Sequence, residues 1–247
     1  MPLIPDVTRA RDAAVRLMQV KKTSELLLHP DPPDYSPPDG LIPGSLEHII
    51  FITLTLSIDH QGDTPALWES SRAAYKDDKT RYLFSPDALY HESPDQVALD
   101  LKNTGICTRK KRDAENWRNI GVSISQRWGG DPRNFIACFQ GNVVKMLEYM
   151  KTDKQDMSND FPKIITEKSG IIWIRTLRDA ARYDMFRNLD KIPVLPDIHI
   201  TRASVALGVL SGKYSGQLSV ISQKVREIWK EAVDQGENPG DTITALD

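Results

Sequence analysis

The spacing of apolar residues predicts helices along most of the chain. Apolar side chains recur three and four residues apart, the period of an amphipathic helix, in segments 7–29, 64–75, 94–103, 111–128, 167–183, 199–210 and 216–234. Shorter helices are expected at 85–91 and 142–150. The nearly unbroken apolar run at 49–58 predicts a buried central helix that begins near Ser45. Since no second strand-like run lies nearby to pair with it, we expect an all-α protein.

Prolines and glycines mark where these helices stop. Half of the 16 prolines lie within the first 43 residues, and their density at 29–44 predicts an extended linker because proline lacks an amide N–H. Gly105 follows the helix at 94–103 and suits a left-handed helix cap. Residues 236–247 are expected to form a flexible tail.

Composition narrows the class of protein. The chain has 247 residues, of which 40% are hydrophobic and 27% charged, which fits a globular protein and excludes collagen-like or wholly disordered chains. No apolar run approaches the roughly 18 residues of a membrane span, so we expect a cytoplasmic protein, nucleoid-associated if prokaryotic, without a membrane partner. Cys107 and Cys138 are too few for a disulfide scaffold, a four-cysteine zinc site or an iron–sulfur cluster, and we expect structural thiols and no cofactor.

Charge is distributed unevenly. The net charge of −2 argues against nucleic acid as a partner. However, residues 101–133 hold eight basic and three acidic side chains, a net +5, and residues 161–213 hold nine and five, a net +4. A chain with such a split can still bind a polyanion through one face, because phosphate contacts are local.

Two segments of the sequence are candidates for a functional site. In the first, a helix end and the Gly105 turn lead into a basic stretch, Arg109-Lys110-Lys111-Arg112, which is either a solvated loop or a phosphate-binding one. In the second, Asp197 lies at the start of a helix, where its carboxylate can cap free N–H groups and stay ionised. Capping alone accounts for an isolated aspartate at such a position.

The pattern Asp197-x-His199-Ile200-x-Arg202, after the proline-containing apolar stretch 192–195, resembles the catalytic segment of helix–hairpin–helix DNA glycosylases of the endonuclease III kind. Upstream, segment 46–75 is similar to that family's opening helices, and segment 93–128 resembles its helix, Ile-Gly turn and helix unit. Phe161-Pro162, followed by Lys168, lies where the family has its hairpin and lysine. Together these segments cover about two-thirds of the chain, from 44 to 212.

The resemblance implies two helical subdomains with an active-site cleft between them. Residues 44–158 would form a central subdomain similar to a six-helix barrel. Residues 1–43 and 159–235 would form the other subdomain, which carries the hairpin and the catalytic aspartate. The segment at the hairpin position, 162–168, is one residue longer than the family's and contains no glycine, whereas the family hairpin is glycine-rich so that its N–H groups approach a DNA phosphate.

The resemblance also assigns roles to residues. Asp197 would stabilise the positive charge that develops on a sugar as its base departs, and would orient or deprotonate the nucleophile. Lys168 lies at the position of a family lysine that attacks the anomeric carbon. If Lys168 is catalytic, the enzyme has lyase activity; if it is a surface residue in the first turn of a helix, the enzyme is a simple hydrolase.

Further residues follow from the same resemblance. Asp59 or His60 would line the base pocket, Gln61 would fill the gap left by a flipped base, and Trp173 would stack on that base unless it belongs to the core. His199 would hydrogen-bond near Asp197, and a metal there is not expected because no second ligand has a suitable spacing. Arg202 would orient Asp197 or reach solvent. The expected phosphate contacts are Arg109, Lys110, Lys111, Arg112, Lys163 and Arg202.

Three functions remain open. The first is excision of a damaged or modified purine from double-stranded DNA by a monomer that needs no protein partner. The second is hydrolysis of a modified nucleoside or nucleotide, as in queuosine-salvage proteins that resemble these glycosylases; the glycine-free hairpin and the acidic pI favour it. The third is a lesion-binding module without turnover, which would not need the Asp197 carboxylate.

Overall fold

A computed structural model describes residues 3–23, 37–59, 63–107, 111–152, 160–162, 164, 167–192, 194–196, 198–212 and 218–234. The expected all-α class is confirmed, since these residues are mostly helical and their only strands pair in a two-stranded sheet. The helices are α1 (Val7–Thr23), α2 (Leu46–Leu56), α3 (Thr64–Lys76), α4 (Pro86–His91), α5 (Pro94–Asn103), α6 (Lys111–Arg127), α7 (Pro132–Cys138), α8 (Val143–Thr152), α9 (Glu167–Asp179), α10 (Ile198–Ala206) and α11 (Leu218–Asp234). Short 3₁₀ helices lie at Arg81–Phe84 and Leu189–Lys191.

The chain divides into two compact units. One comprises Met1–Pro30 and Asn188–Asp247, and the other comprises Asp31–Arg187. The boundaries expected from sequence, after residues 43 and 158, differ from this division because α9 packs on α2 and α8 within the second unit. We call the two the terminal unit and the central unit.

The central unit is built around α2. Every residue of this helix from His48 to Leu56 is buried, as its unbroken apolar run predicts. Aromatic rings extend the core outward, with Phe51 stacked on Phe84 at 5.2 Å and Phe84 edge-on to Trp117 at 5.3 Å between ring centroids. Because α2 is enclosed, the helices around it can present side chains to solvent only from their outer faces.

Helix ends in the central unit follow local rules. Ser45 caps α2 by accepting a bond from the His48 N–H at 3.2 Å, as predicted. Asp63 caps α3 in the same way through the Ala66 N–H, also at 3.2 Å. Gly105 has φ +79° after the end of α5, which confirms the expected left-handed cap. The direction of the chain into and out of these helices is therefore set by residues next to them in sequence.

The terminal unit packs α1 and α10 against α11. Its buried core includes Ala10, Ala14, Val225, Ile228 and Trp229. The Trp229 indole N–H donates to Ser204 Oγ at 2.9 Å, which links α11 to α10. Strands β1 (Ile4–Pro5) and β2 (Leu210–Ser211) pair antiparallel, which joins the two stretches of chain that make up this unit.

Among the described residues, no helix has both the length and the apolar composition that crossing a bilayer requires.

Candidate functional site

Several expected site residues lie outside the part of the chain that the structure describes. These are Asp197, His60, Gln61, Arg109, Lys110 and Lys163. For His199 and Lys111 only the backbone is described: His199 is the second residue of α10, and Lys111 is the first residue of α6. Their roles remain predictions, and the described site is built from the residues around Lys168 and Asp59.

Lys168 is the second residue of α9, and its side chain is exposed. Side chains in the first turn of a helix project beside free backbone N–H groups, which favour an anion nearby. The amine is thus accessible to a bound molecule.

A buried turn precedes this helix. Of residues 160–164, the structure describes Asp160, Phe161, Pro162 and Ile164, and all four are buried. The Ile164 N–H donates to the Phe161 carbonyl at 3.1 Å, and Pro162 has no N–H. These two positions therefore offer no free backbone N–H to a DNA phosphate, which is the role of the glycine-rich family hairpin.

The turn lies directly against the start of α9. A Cβ added to Gly170 would lie 3.0 Å from the Ile164 carbonyl oxygen and 2.7 Å from Leu147 Cδ2, so only glycine allows this approach. Phe161 packs into an aromatic cluster, with its ring 4.8 Å from that of Phe135 and 5.6 Å from that of Trp173. The position of the first turn of α9 is therefore tied to that of the buried turn.

Trp173 lies in the core of the central unit. It is fully buried, and its indole N–H donates to Thr53 Oγ1 on α2 at 3.0 Å. A ring enclosed in this way packs α9 on α2. This placement differs from the predicted stacking on an extruded base and matches the alternative of a core aromatic.

Asp59 directly follows the last turn of α2 and faces α3. One carboxylate oxygen accepts from Thr64 Oγ1 at 2.8 Å, and the other accepts from the Trp68 indole N–H at 3.1 Å. Both oxygens are therefore used to join the end of α2 to the start of α3. The structure thus gives Asp59 a role in joining these two helices, one residue before His60 in the sequence.

Two of the predicted phosphate contacts have described side chains, and both side chains are exposed. Arg112 lies on the exposed face in the first turn of α6, and Arg202 is exposed on α10. Both side chains can reach a phosphate in solution. The described residues contain no group of three His, Cys, Asp or Glu side chains placed to hold a metal ion.

Two charged residues of this region do not stand out in the sequence. Asp160, the first residue of the turn, is buried and bonded to Ser123 and Arg127 on α6. Arg175 lies seven residues, or about two turns, beyond Lys168 on the same side of α9. Burial, with the like charge of Arg178 adding to it, lowers the pKa of the Arg175 guanidinium to about 10. The sequence gives no signal of this burial, because Lys168, Arg178 and Asp179 lie on the same side of α9 as Arg175.

Two other titratable groups are buried in the central unit. Burial lowers the pKa of His48 to about 4, and its Nδ1 accepts the Gly44 N–H at 3.2 Å, so the imidazole is neutral at physiological pH. Burial, followed by the nearby Asp113 carboxylate, raises the pKa of the Cys107 thiol to about 12. Such a thiol is protonated and unreactive, in keeping with a structural cysteine.

Neither a scan against models of known protein families nor a search among curated proteins finds a match to this chain.

Proposed function

We propose that this protein is a DNA glycosylase that removes a damaged or modified purine from double-stranded DNA. The observation that carries the proposal is the exposed Lys168 in the first turn of α9, which follows the buried residues Asp160, Phe161, Pro162 and Ile164. That is the position at which the family resemblance has its hairpin and lysine. In addition, α10 begins at Ile198, directly after Asp197 in the sequence.

The proposed reaction breaks the bond between the base nitrogen and the sugar C1′. The bonding electron pair leaves with the base, and positive charge spreads over C1′ and the ring oxygen. A fixed carboxylate stabilises that charge and accepts a proton from the attacking nucleophile, which is a general-base role. We assign this role to Asp197.

Lys168 is proposed as the nucleophile of a lyase reaction. Its neutral amine forms a bond to C1′ as the bond to the base breaks, and the nitrogen then loses a proton. Opening of the sugar ring gives an imine between Lys168 and C1′. Loss of a C2′ proton expels the 3′-phosphate, which cleaves the strand. If Lys168 does not act in this way, water is the nucleophile and the strand stays intact.

DNA binding is proposed to depend on basic side chains on the helices. Pro162 and Ile164 have no backbone N–H to offer, so the turn before α9 differs from the phosphate clamp of the family hairpin. Arg112 and Arg202 are exposed and remain candidates for phosphate contacts, together with Arg109, Lys110, Lys111 and Lys163.

One observation favours a second function. Segment 162–168 contains no glycine, and neither Pro162 nor Ile164 offers a free backbone N–H, whereas the family hairpin grips duplex DNA through such groups. A hydrolase acting on a free modified nucleoside or nucleotide would need no such grip. The same Asp197 chemistry would then act on a small substrate. Binding of lesion-bearing DNA without turnover is the third outcome.

Base release tests the proposal and separates these functions. The purified protein is incubated with duplexes that each carry one modified purine, and separately with the corresponding free nucleosides, and the released base is measured by chromatography. We expect release from at least one duplex and none from nucleosides. Release from nucleosides alone would establish the second function, and tight binding of a lesion duplex without release would establish the third.

Salt dependence of binding gives an independent test. A protein that neutralises several phosphates loses affinity with a log–log slope of about −0.9 for each contact, whereas a nucleoside site shows little slope. We expect Arg112→Gln to reduce the slope by about one contact for DNA. Glu115→Gln, an exposed neighbour on the same helix, serves as the control that should not reduce it.

Trapping tests the role of Lys168 without knowledge of the base. A duplex with an abasic site presents the C1′ aldehyde, with which a lysine amine forms an imine and releases water, and borohydride reduces that imine to a stable amine. We expect a covalent adduct with the wild type and none with Lys168→Gln. Lys151→Gln, an exposed lysine in the last turn of α8, should give the wild-type yield. An equal adduct yield from Lys168→Gln would remove Lys168 from the reaction.

A further inference from the structure

A charged network lies at Asp160, the first residue of the buried turn 160–164. The Asp160 side chain is only 3% exposed, whereas the Arg127 side chain that pairs with it is 42% exposed. Asp160 also accepts from Ser123 Oγ at 2.7 Å, and Tyr149 Oη lies 3.5 Å from its other oxygen. A carboxylate taken out of water is therefore held by a guanidinium at the surface and by neutral hydroxyls.

The partners of Asp160 come from two different helices. Ser123 and Arg127 lie one turn apart on α6, and Tyr149 lies on α8. Residues 160–164 approach both helices through this one side chain, and Phe161 next to it fills the aromatic cluster with Phe135. The start of the turn is thus fixed by charge as well as by packing.

The other end of the turn meets α9. The Ile164 carbonyl oxygen lies so close to Gly170 that a Cβ there would be 3.0 Å from it, and Gly170 is two residues beyond Lys168. A displacement of Ile164 must therefore move the first turn of α9 or open a gap beneath it. Since interiors are close-packed, such a gap costs dispersion contacts and is not filled freely.

We propose that Asp160 is a positioning residue, whose ion pair with Arg127 fixes the turn 160–164 and, through the contact of Ile164 with Gly170, the first turn of α9 that presents Lys168. The consequence for reaction rests on the proposed function, whereas the placement of α9 does not. The proposal differs from a merely stabilising ion pair in one respect. Loss of the ion pair between Asp160 and Arg127 must loosen the start of α9 more than the rest of the central unit.

Amide hydrogen exchange tests whether the ion pair between Asp160 and Arg127 fixes the first turn of α9. Exchange is followed by mass spectrometry on peptides that cover residues 160–172, and on α2 peptides for comparison, in the wild type and in Asp160→Asn. We expect at least about tenfold faster exchange in 160–172 and no comparable change in α2, because only the anchored turn is released. Ser123→Ala and Tyr149→Phe, which keep the ion pair, should show smaller changes in the same peptides.

A matched control is available in the same unit. Asp131 pairs with Arg133 at 2.6 Å at the start of α7, and the hydrogen bonds described for its carboxylate all come from Arg133. Asp131→Asn should leave exchange in 160–172 unchanged. Equal acceleration there in Asp131→Asn and Asp160→Asn, or none in Asp160→Asn, would overturn the proposal.

Borohydride trapping then tests whether the position of α9 governs the reaction of Lys168. With the abasic duplex and borohydride, Asp160→Asn should lower the adduct-forming rate at saturating DNA by tenfold or more, while the DNA concentration for half-maximal rate changes less than twofold. Arg127→Lys, which keeps a cation beside Asp160, should lose less of the rate than Asp160→Asn. An unchanged rate would show that α9 placement does not govern Lys168. If the wild type forms no adduct, the proposed lyase function fails, and the exchange result alone decides the placement.

Discussion

Two aspartates of the central unit join helices to segments in which site residues were expected. They differ in their exposure to water and in the charge of their partners. Asp59 is partly exposed and takes uncharged donors, Thr64 Oγ1 at 2.8 Å and the Trp68 indole N–H at 3.1 Å. Asp160 is almost fully buried and is paired with the Arg127 guanidinium. A carboxylate that keeps contact with water needs only neutral donors, whereas a buried one requires an opposite charge.

The two anchors also differ in their distance along the chain. The partners of Asp59 lie five and nine residues after it, whereas Ser123 and Arg127 lie 37 and 33 residues before Asp160. The first anchor joins two neighbouring helices. The second brings three separate segments of the chain together, so its loss should cost more unfolding free energy.

The largest effect is expected from Arg127→Met, which leaves the buried Asp160 carboxylate without its cation. Removing one partner of a buried pair costs about 3–5 kcal/mol of unfolding free energy, whereas Asp160→Asn leaves a guanidinium that water can reach and should cost less. Urea denaturation of both variants measures the difference. The double variant should be no less stable than Arg127→Met alone, and a smaller loss for Arg127→Met than for Asp160→Asn would contradict the account of this anchor.

The second largest effect is a pH dependence of stability that comes from His48, in the first turn of α2. Burial lowers the pKa of His48 to about 4 from an unfolded value of 6.5. Since the unfolded chain binds this proton more readily, the stabilisation is complete above pH 6.5 and is lost as the pH falls toward 4. The loss is on the order of 3 kcal/mol.

Urea denaturation at a series of pH values checks this expectation. His48→Gln, whose amide oxygen can accept the Gly44 N–H, should flatten the dependence between pH 6.5 and 4. The matched control is His91→Gln, because His91 lies exposed on α4 beside Asp87. If His91→Gln flattens the curve and His48→Gln does not, the assignment to His48 is wrong.

The smallest effect is expected from Asp59→Asn. The amide can accept one of the two bonds but presents an N–H₂ group to the other donor, so about 1 kcal/mol of unfolding free energy should be lost. Asp63→Asn is the control, since asparagine caps a helix about as well as aspartate and the stability should hardly change. A loss as large as that of Arg127→Met would remove the contrast between the two anchors.

How much of the fold the sequence predicts follows from the same distinction between local and distant contacts. Helix α5 has the predicted bounds, because Ser93 and Gly105 next to it fix both ends. Helix α9 was expected to reach residue 183 but ends at Asp179, where the Tyr183 N–H turns back to the Leu177 carbonyl at 3.1 Å. Helix α7 was missed, and the β1–β2 pair joins residues more than 200 positions apart, which no local pattern predicts.

The same distinction between local and distant contacts decides which parts of the candidate site the sequence predicts. A lysine near the start of a helix is visible in the pattern around Lys168, and its exposure agrees with an accessible amine. The burial of Trp173 depends on Thr53 and Phe135, which are far away in sequence, so periodicity alone left both a pocket and a core role open. The Asp160 anchor joins residues more than 30 positions apart, and no spacing rule connects them.

The central claim is that the Asp197 carboxylate drives cleavage of an N-glycosidic bond. The direct test is single-turnover release of the base from the best duplex substrate by the wild type, Asp197→Asn and the control Asp190→Asn, which alters a partly exposed carboxylate paired with Lys191. We predict that Asp197→Asn slows release by at least about a hundredfold with an unchanged circular dichroism spectrum, while Asp190→Asn retains the wild-type rate. Release by Asp197→Asn at the wild-type rate would contradict the account.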